Sequence, residues 1–197
     1  LLEDIMGHFC PNCPAAATVA DNIATGNPGQ VIVIEDHSGA FAQTAPPHPL
    51  PSGVPSYAFS EDLTCYAGNT WQAFYNFGSW PIGLIDRIGY NPPAAPVSAG
   101  IQYPNWASTV SALIAANSHP PVTIDIHDSC WEPQRIIGVQ ITLNFPFPLS
   151  SDSTYYLQAL MVEDSCIGWQ VNGAQNDSTY AHRYVLRGAF GNNAGGS

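Results

Sequence analysis

Residues 1–17, LLEDIMGHFCPNCPAAA, place a Cys-Pro-Asn-Cys turn directly behind an apolar-acidic run and directly ahead of one proline and three alanines. This order predicts a strand, then a C-x-x-C turn at Cys10 and Cys13, then a helix. The helix N-terminus favours a thiolate at the first sulfur, because free N–H groups and the helix dipole stabilise negative charge. A C-x-x-C between a strand and a helix is the redox signature of thioredoxin-like domains.

A second motif, far away in the sequence, predicts the same fold. Residues 79–83, SWPIG, precede the short apolar run Leu84-Ile85, and Pro81 matches the proline, usually cis, that abuts the disulfide in that fold. The alternatives for Cys10 and Cys13 are a zinc half-site and a purely structural bridge. A zinc site would need a second Cys/His pair at comparable spacing, and the sequence contains none.

Composition limits the class of protein. The 197 residues are 45% hydrophobic and 10% charged, with no lysine and a net charge of -11. Nucleic acid is excluded as a partner because the chain has too few cations to neutralise phosphates. A surface covered by Ser, Thr, Asn, Gln and Tyr is typical of extracellular and assembly proteins. Five cysteines without metal-type spacing indicate an oxidising compartment, so we expect an exported, extracellular or cell-surface protein.

The hydrophobic pattern predicts two domains. Residues 1–119 alternate helical patterns with the buried strand Val31–Ile34 and carry Pro-rich insertions, which indicates an α/β thioredoxin-like domain. After Pro121 apolar residues recur at every second position, and residues 120–197 are therefore predicted to form a smaller antiparallel β-sandwich-like domain. This part supplies only about four strands where a sandwich needs about seven. Its sheet must close on the first domain, on missing sequence or on another chain.

Several of these motifs together resemble the outer-membrane-protein-28-related family of Bacteroidetes surface proteins. They are LLED (1–4), GH (7–8), CPNCP (10–14), HSG (37–39), WPIG (80–83) with Arg87, ED (163–164), Gln170 and YAHRYVLR (180–187). The resemblance implies a thioredoxin-like domain followed by a β-rich domain, exported and associated with the outer membrane or cell surface. It implies no established activity. The chain departs from the family pattern at Met6, where threonine is usual, in its Pro-rich middle, its lack of lysine and its missing final strands.

Two chemical interpretations of the C-x-x-C remain open. In thiol–disulfide exchange Cys10 would attack, Cys13 would resolve and Pro81 would shape the substrate groove, with His8 stabilising the thiolate. In the alternative, the Cys10–Cys13 disulfide is a permanent structural bridge, and His8 is a hydrogen-bonding residue at the start of the helix. The absence of recognisable buried acidic residues of the kind that tune a thioredoxin favours the structural bridge.

The other cysteines suggest a second disulfide. Residues 127–131, HDSCW, and 163–167, EDSCI, repeat one pattern at the ends of two predicted strands. We therefore predict a Cys130–Cys166 disulfide across the sheet ends, as in small secreted β-domains, although sequence alone does not determine connectivity. Cys65 is then the odd cysteine, either buried and free or available for intermolecular pairing.

Acidic and aromatic clusters supply the remaining candidates. Carboxylates are calcium ligands, so calcium is the candidate cofactor, and no organic cofactor is expected. The predicted ligands are Asp125, Asp128, Glu163 and Asp164, with Glu35-Asp36 as a further acidic cluster. Solvated strand ends are the alternative, because no D-x-D-x-D-G loop exists. The aromatic segment Trp71–Phe77 is a carbohydrate platform or, given its helical spacing, part of a core. Two Asp-Ser-Thr triplets predict glycosylation at Ser153 and Ser178.

Two main function classes follow from these features. One is a structural or interaction protein on a thioredoxin-like scaffold, which self-associates into an extracellular oligomer or filament. The other is a periplasmic or surface thiol–disulfide oxidoreductase that uses Cys10-Pro11-Asn12-Cys13. Carbohydrate or peptide binding is a third possibility.

Overall fold

The computed structural model describes residues 1–44, 50, 52–87, 100–116, 122–146, 148 and 157–190. Within these ranges the chain is mixed α/β, as predicted. Its α-helices are α1 (Cys13–Gly26), α2 (Tyr66–Tyr75) and α3 (Trp106–Ala116). Its strands are β1 (Leu2–Met6), β2 (Val33–His37), β3 (Ile82–Ile85), β4 (Thr123–Trp131), β5 (Ile136–Asn144), β6 (Ala159–Glu163), β7 (Cys166–Asn172), β8 (Gln175–His182) and β9 (Val185–Phe190).

A five-stranded mixed sheet forms the centre of the larger part of the chain. Its strand order is β3-β1-β2-β9-β6. Strand β1 is parallel to β2 and antiparallel to β3, while β9 is parallel to β2 and antiparallel to β6. Every residue of β1 and β2 is buried, as expected of parallel strands that are covered on both sides.

The register of β1 and β2 assigns their buried polar residues to two opposite faces. Asp4 stands beside Glu35, and Ile5 stands beside Asp36. Because side chains alternate along a strand, Asp4, Glu35 and His37 share one face, which we call the histidine face. Glu3, Ile5 and Asp36 share the other face, which we call the arginine face because Arg87 binds Glu3 there.

Helix α2 packs on the arginine face. Trp71 and Tyr75 belong to one buried core with Ile5, Ile34 and Leu84. Phe77, just beyond the helix, belongs to the same core. The aromatic segment Trp71–Phe77 is therefore core packing, and the carbohydrate-platform interpretation is not needed to explain it.

The chain divides into two compact units, Leu1–Ala112 with Tyr156–Ser197, and Leu113–Tyr155. The sequence places its boundary at 119/120 instead. The difference arises because β9 pairs with β2 and β6 pairs with β9, so two strands of the predicted second domain complete the sheet of the first. The sequence left three ways to complete the predicted second sheet, and strands β6 and β9 complete theirs on the first domain.

The smaller unit contains the antiparallel pair β4–β5, and a second antiparallel pair, β7–β8, belongs to the larger unit. Alternation along β4–β5 places Ile124, Ile126, Ile137 and Val139 on one face, and each of these side chains is more than half exposed.

In the part of the chain that the structure describes, no helix has the length and apolar character needed to cross a bilayer.

Candidate functional site

The C-x-x-C turn lies where the sequence predicts it, between β1 and the first residue of α1. Cys10 and Cys13 form a disulfide with a Cα–Cα distance of 5.4 Å. Both cysteines are almost completely inaccessible, with 1% and 0% of their surface exposed. The predicted Cys10–Cys13 bridge is confirmed, and its sulfurs are not open to solvent.

The segment around Pro81 approaches the disulfide through its tryptophan. The Trp80–Pro81 peptide is cis, and Trp80 packs with Phe41 against the cluster of Met6, Cys10 and Cys13. The Trp80 indole donates a hydrogen bond to the Ser38 carbonyl at 3.1 Å. Gly39 has a φ of 71°, and a Cβ there would collide with the Trp80 ring. The HSG and WPIG motifs therefore fit together beside the disulfide, with Trp80 as the contacting side chain that sequence reasoning missed.

Strand β7 covers the C-x-x-C turn from another direction. The Val171 N–H donates to the His8 carbonyl at 2.8 Å, and the Gly173 N–H donates to the Pro11 carbonyl at 2.9 Å. The fully buried Gln170 side chain donates to the Cys10 carbonyl at 2.9 Å. Backbone acceptors next to the disulfide, which an extended substrate would use, are thus already bonded within the chain.

His8 is a buried hydrogen-bonding residue. Its Nε2 donates to the Gln43 carbonyl at 3.1 Å, and its ring packs edge-on against Phe9 and Phe59. Burial lowers the pKa of His8 below its usual range. Stabilisation of a thiolate needs a protonated imidazole, so this environment favours the hydrogen-bonding interpretation of His8.

Buried carboxyl groups are present, although the sequence suggested none and favoured solvated strand ends for Glu35 and Asp36. Strands β1 and β2 bury four of them, and each is at most 3% exposed: Glu3, Asp4, Glu35 and Asp36. Arg87 holds Glu3 through two hydrogen bonds of 2.7 and 3.0 Å. Burial, followed by the nearby Glu3 charge, raises the pKa of Asp36 to about 7. The signal was available in the sequence, since LED and VIED interrupt otherwise apolar strands.

A cluster of two histidines and one glutamate occupies the histidine face. The His37 and His182 rings lie 4.9 Å apart, centroid to centroid, and Glu35 Oε2 lies 3.8 Å from His37 Nε2. One potential ligand atom from each residue lies within 4.8 Å of the others, and all three residues are buried. Burial lowers the pKa of His37 well below its usual value and that of His182 to about 4. Burial and the neighbouring Asp4 raise the pKa of Glu35 well above its usual range.

The predicted calcium ligands are engaged elsewhere. Glu163 pairs with Arg187 at 3.0 Å and Asp164 pairs with Arg183 at 3.2 Å. Asp125 accepts a hydrogen bond from Asn144 at 3.0 Å, and alternation places Asp125 and Asp128 on opposite faces of β4. Within the described ranges, the residues that the structure gathers as potential metal ligands are Glu35, His37 and His182. Glu35 belongs to one of the acidic clusters named from the sequence, and Asp125, Asp128, Glu163 and Asp164 are not in this group.

The predicted Cys130–Cys166 disulfide is not formed in the structure, where Cys65, Cys130 and Cys166 are free thiols. Each of the latter two faces a different residue across its own antiparallel pair, Ile137 for Cys130 and His182 for Cys166. Cys65 precedes α2 as its N-cap, and its sulfur accepts a hydrogen bond from the Gly68 N–H. Ser178 is exposed on β8, while Ser153 lies outside the described residues.

In comparisons with known proteins, no family model, no curated protein and no solved structure matches this chain.

Proposed function

We propose that the chain is an exported structural or interaction protein on a thioredoxin-like scaffold, in which Cys10–Cys13 is a structural bridge. The observation that carries the proposal is the burial of both cysteines beneath Trp80 and β7. Thiol–disulfide exchange requires direct attack of a thiolate on a sulfur atom. A disulfide without accessible sulfur does not undergo that attack unless the surrounding chain opens.

Strand order and motif positions support the thioredoxin-like scaffold. The C-x-x-C follows β1, β1 is flanked by parallel β2 and antiparallel β3, and Pro81 directly precedes β3. The motif resemblance to the outer-membrane-protein-28-related family supports a location at the cell surface. We propose that location on the same grounds.

The self-association part of the proposal is supported by the β4–β5 pair. Its face with Ile124, Ile126, Ile137 and Val139 is exposed and largely apolar, with Asp128 as its one charged residue. A two-stranded sheet alone is at best marginally stable in water. Contact between copies of the chain through this face would remove the apolar surface from water. Repeated without rotational closure, such a contact produces a filament.

The alternative function, a thiol–disulfide oxidoreductase, is favoured by one observation, the position of the C-x-x-C before α1. Reduction of insulin by dithiothreitol, followed by turbidity, separates the two. Because Cys65, Cys130 and Cys166 are free, the test is made in a variant with all three changed to serine. We expect that insulin reduction in the presence of this variant proceeds at the rate of the uncatalysed reaction. Acceleration that disappears in Cys10→Ser would establish the oxidoreductase and reject the structural bridge.

Assembly is tested by a pair of variants that add the same charge to opposite faces of β5. Val139→Asp adds a second carboxylate, opposite Asp128, to the largely apolar face, and Gln140→Asp places one on the other face. Sedimentation velocity should show oligomers for the wild type and for Gln140→Asp, and a monomer for Val139→Asp. A wild type that is monomeric across the accessible concentration range would reject self-association.

A further inference from the structure

The residues of the histidine face form an arrangement that the proposed function does not use. His37 and His182 are each at most 1% exposed, and within the described residues none of their four ring nitrogens has a partner in hydrogen-bonding geometry. Buried polar groups are normally hydrogen-bonded, and each unsatisfied one destabilises the folded chain. These ring nitrogens are concentrated at one point, next to the Glu35 carboxyl group.

We propose that Glu35, His37 and His182 bind one transition-metal dication of the zinc class, which links β2 to β8. Two imidazoles and one carboxylate are a common ligand set for such ions. The nitrogen donors disfavour calcium, which takes six to eight oxygen ligands. The site is separate from the Cys10–Cys13 disulfide and does not depend on the proposed function.

The distances require only a small contraction. Metal–nitrogen and metal–oxygen bonds of about 2.0–2.2 Å in a tetrahedral site place ligand atoms roughly 3.3 Å apart. Glu35 Oε2 and His37 Nε2 are 3.8 Å apart, and the three ligand atoms lie within 4.8 Å of one another. Glu35 and His37 share one face of β2, and the His182 ring lies 4.9 Å from the His37 ring, so all three ligands already converge on one point.

The second layer of contacts also suits a metal. Metal-bound carboxylates and histidines are normally held by a further hydrogen bond, which orients the ligand. The Arg183 N–H donates to Glu35 Oε2 at 3.2 Å. The Trp169 backbone partly opposes the lowering of the His182 pKa, so a backbone group lies near that ring.

Charge balance supports the same conclusion. Asp4 is next to Glu35 on the histidine face, and neither of its carboxylate oxygens has a hydrogen-bond partner among the described residues. A dication bound at Glu35 would place positive charge beside both carboxyl groups. The ion would also join residues 35 and 37 to residue 182, and thereby attach the β7–β8 pair to the main sheet.

The test uses untagged full-length protein, stripped with a chelator and titrated with Zn²⁺ by calorimetry, in the native state and after refolding in Zn²⁺ because the site is buried. We expect one equivalent of bound zinc in at least one of these arms. Each of Glu35→Gln, His37→Gln and His182→Gln should weaken binding by more than roughly 10–100-fold, the range seen even for outer-layer changes. His127→Gln and Glu163→Gln, which change an exposed histidine and a surface carboxylate, should leave it unchanged.

Spectroscopy on the wild type keeps the proposal falsifiable if a variant fails to fold. Zinc X-ray absorption should show nitrogen and oxygen ligands at about 2.0–2.2 Å, including two imidazoles. Sulfur ligation at about 2.3 Å would assign the ion to the free cysteines and overturn the proposal. It would equally be overturned by substoichiometric binding in both arms, or by full affinity in a folded His182→Gln protein.

Discussion

On the arginine face, Glu3 accepts two charge-assisted hydrogen bonds from Arg87, whose guanidinium also lies 4.7 Å from the Trp71 ring. On the histidine face, the next residue of β1, Asp4, has no hydrogen-bond partner for its carboxylate within the described chain. The two residues are equally buried. One strand therefore carries a charged, paired carboxylate on one side and an unpaired one on the other. The contrast shows that burial alone does not determine how a carboxyl group is accommodated; the available partner does.

Removal of the partner on the arginine face should have the largest effect. Arg87→Met keeps much of the side-chain volume and leaves the Glu3 charge buried without its cation. Such a change typically costs about 3–5 kcal/mol, and we expect a loss of that size in the free energy of unfolding measured with urea. The double variant Arg87→Met/Glu3→Gln should recover part of the loss. If Arg87→Met is as stable as the wild type, the ion pair is not what accommodates Glu3.

The second test concerns Asp36, which shares the arginine face but has a raised pKa. Since its pKa is about 7 in the folded chain, above the ordinary 3.8, the native state binds its proton more tightly than the unfolded state does. Its contribution to stability is complete below pH 3.8 and is lost as the pH rises through about 7. Relative to Asp36→Asn, the wild type should lose about 1.4 kcal/mol per pH unit across this window. Urea unfolding of both proteins in chelator from pH 4 to 8 measures how their stability changes with pH. If stability changes with pH in the same way in both proteins, the raised pKa of Asp36 is contradicted.

The third test concerns the contribution of the Cys10–Cys13 disulfide to stability. Met6, which lies on the histidine face of β1, packs against this disulfide. The Cys10–Cys13 bridge closes a very short loop, so Cys10→Ser/Cys13→Ser should lower stability by about 2 kcal/mol. Cys65→Ser is the matched control, because serine preserves an N-cap acceptor for α2. Thermal unfolding of both proteins provides the comparison. Equal losses in the two would show that the bridge itself adds nothing.

The smallest effect is expected at the surface pair of Asp164 and Arg183. The hydrogen bond from Arg183 lowers the pKa of Asp164, so the contribution is present above the usual pKa of the group and is lost as the pH falls below it. Both side chains are exposed, and Asp164→Asn should change stability by only about 0–1 kcal/mol. Added salt should reduce even this difference. A loss comparable to that of Arg87→Met would mean that solvent exposure does not explain why one ion pair stabilises the fold more than the other.

Much of the fold was predictable because its signals are local. The apolar run before Cys10, the small residues after Cys13 and the glycine and proline after α1 determine a strand, a turn and a helix through contacts of nearest neighbours along the chain. The same applies to the helical aromatic segment around Trp71 and to the alternation in β4 and β5. The Cys10–Cys13 bridge also follows from spacing, since residues three apart at a helix start lie within disulfide distance.

The pairing of distant segments was decided by the tertiary structure. Nothing in the local pattern of residues 185–190 shows that β9 lies beside β2, or that a histidine at 182 meets residues 35 and 37. The same limit explains why the repeated D-S-C pattern suggested a Cys130–Cys166 bridge that the sheet pairings do not form. Sequence determined which residues are strand, helix and turn, because those preferences act over a few bonds. The fold determined which buried polar groups obtain a partner, because that depends on which strands become neighbours.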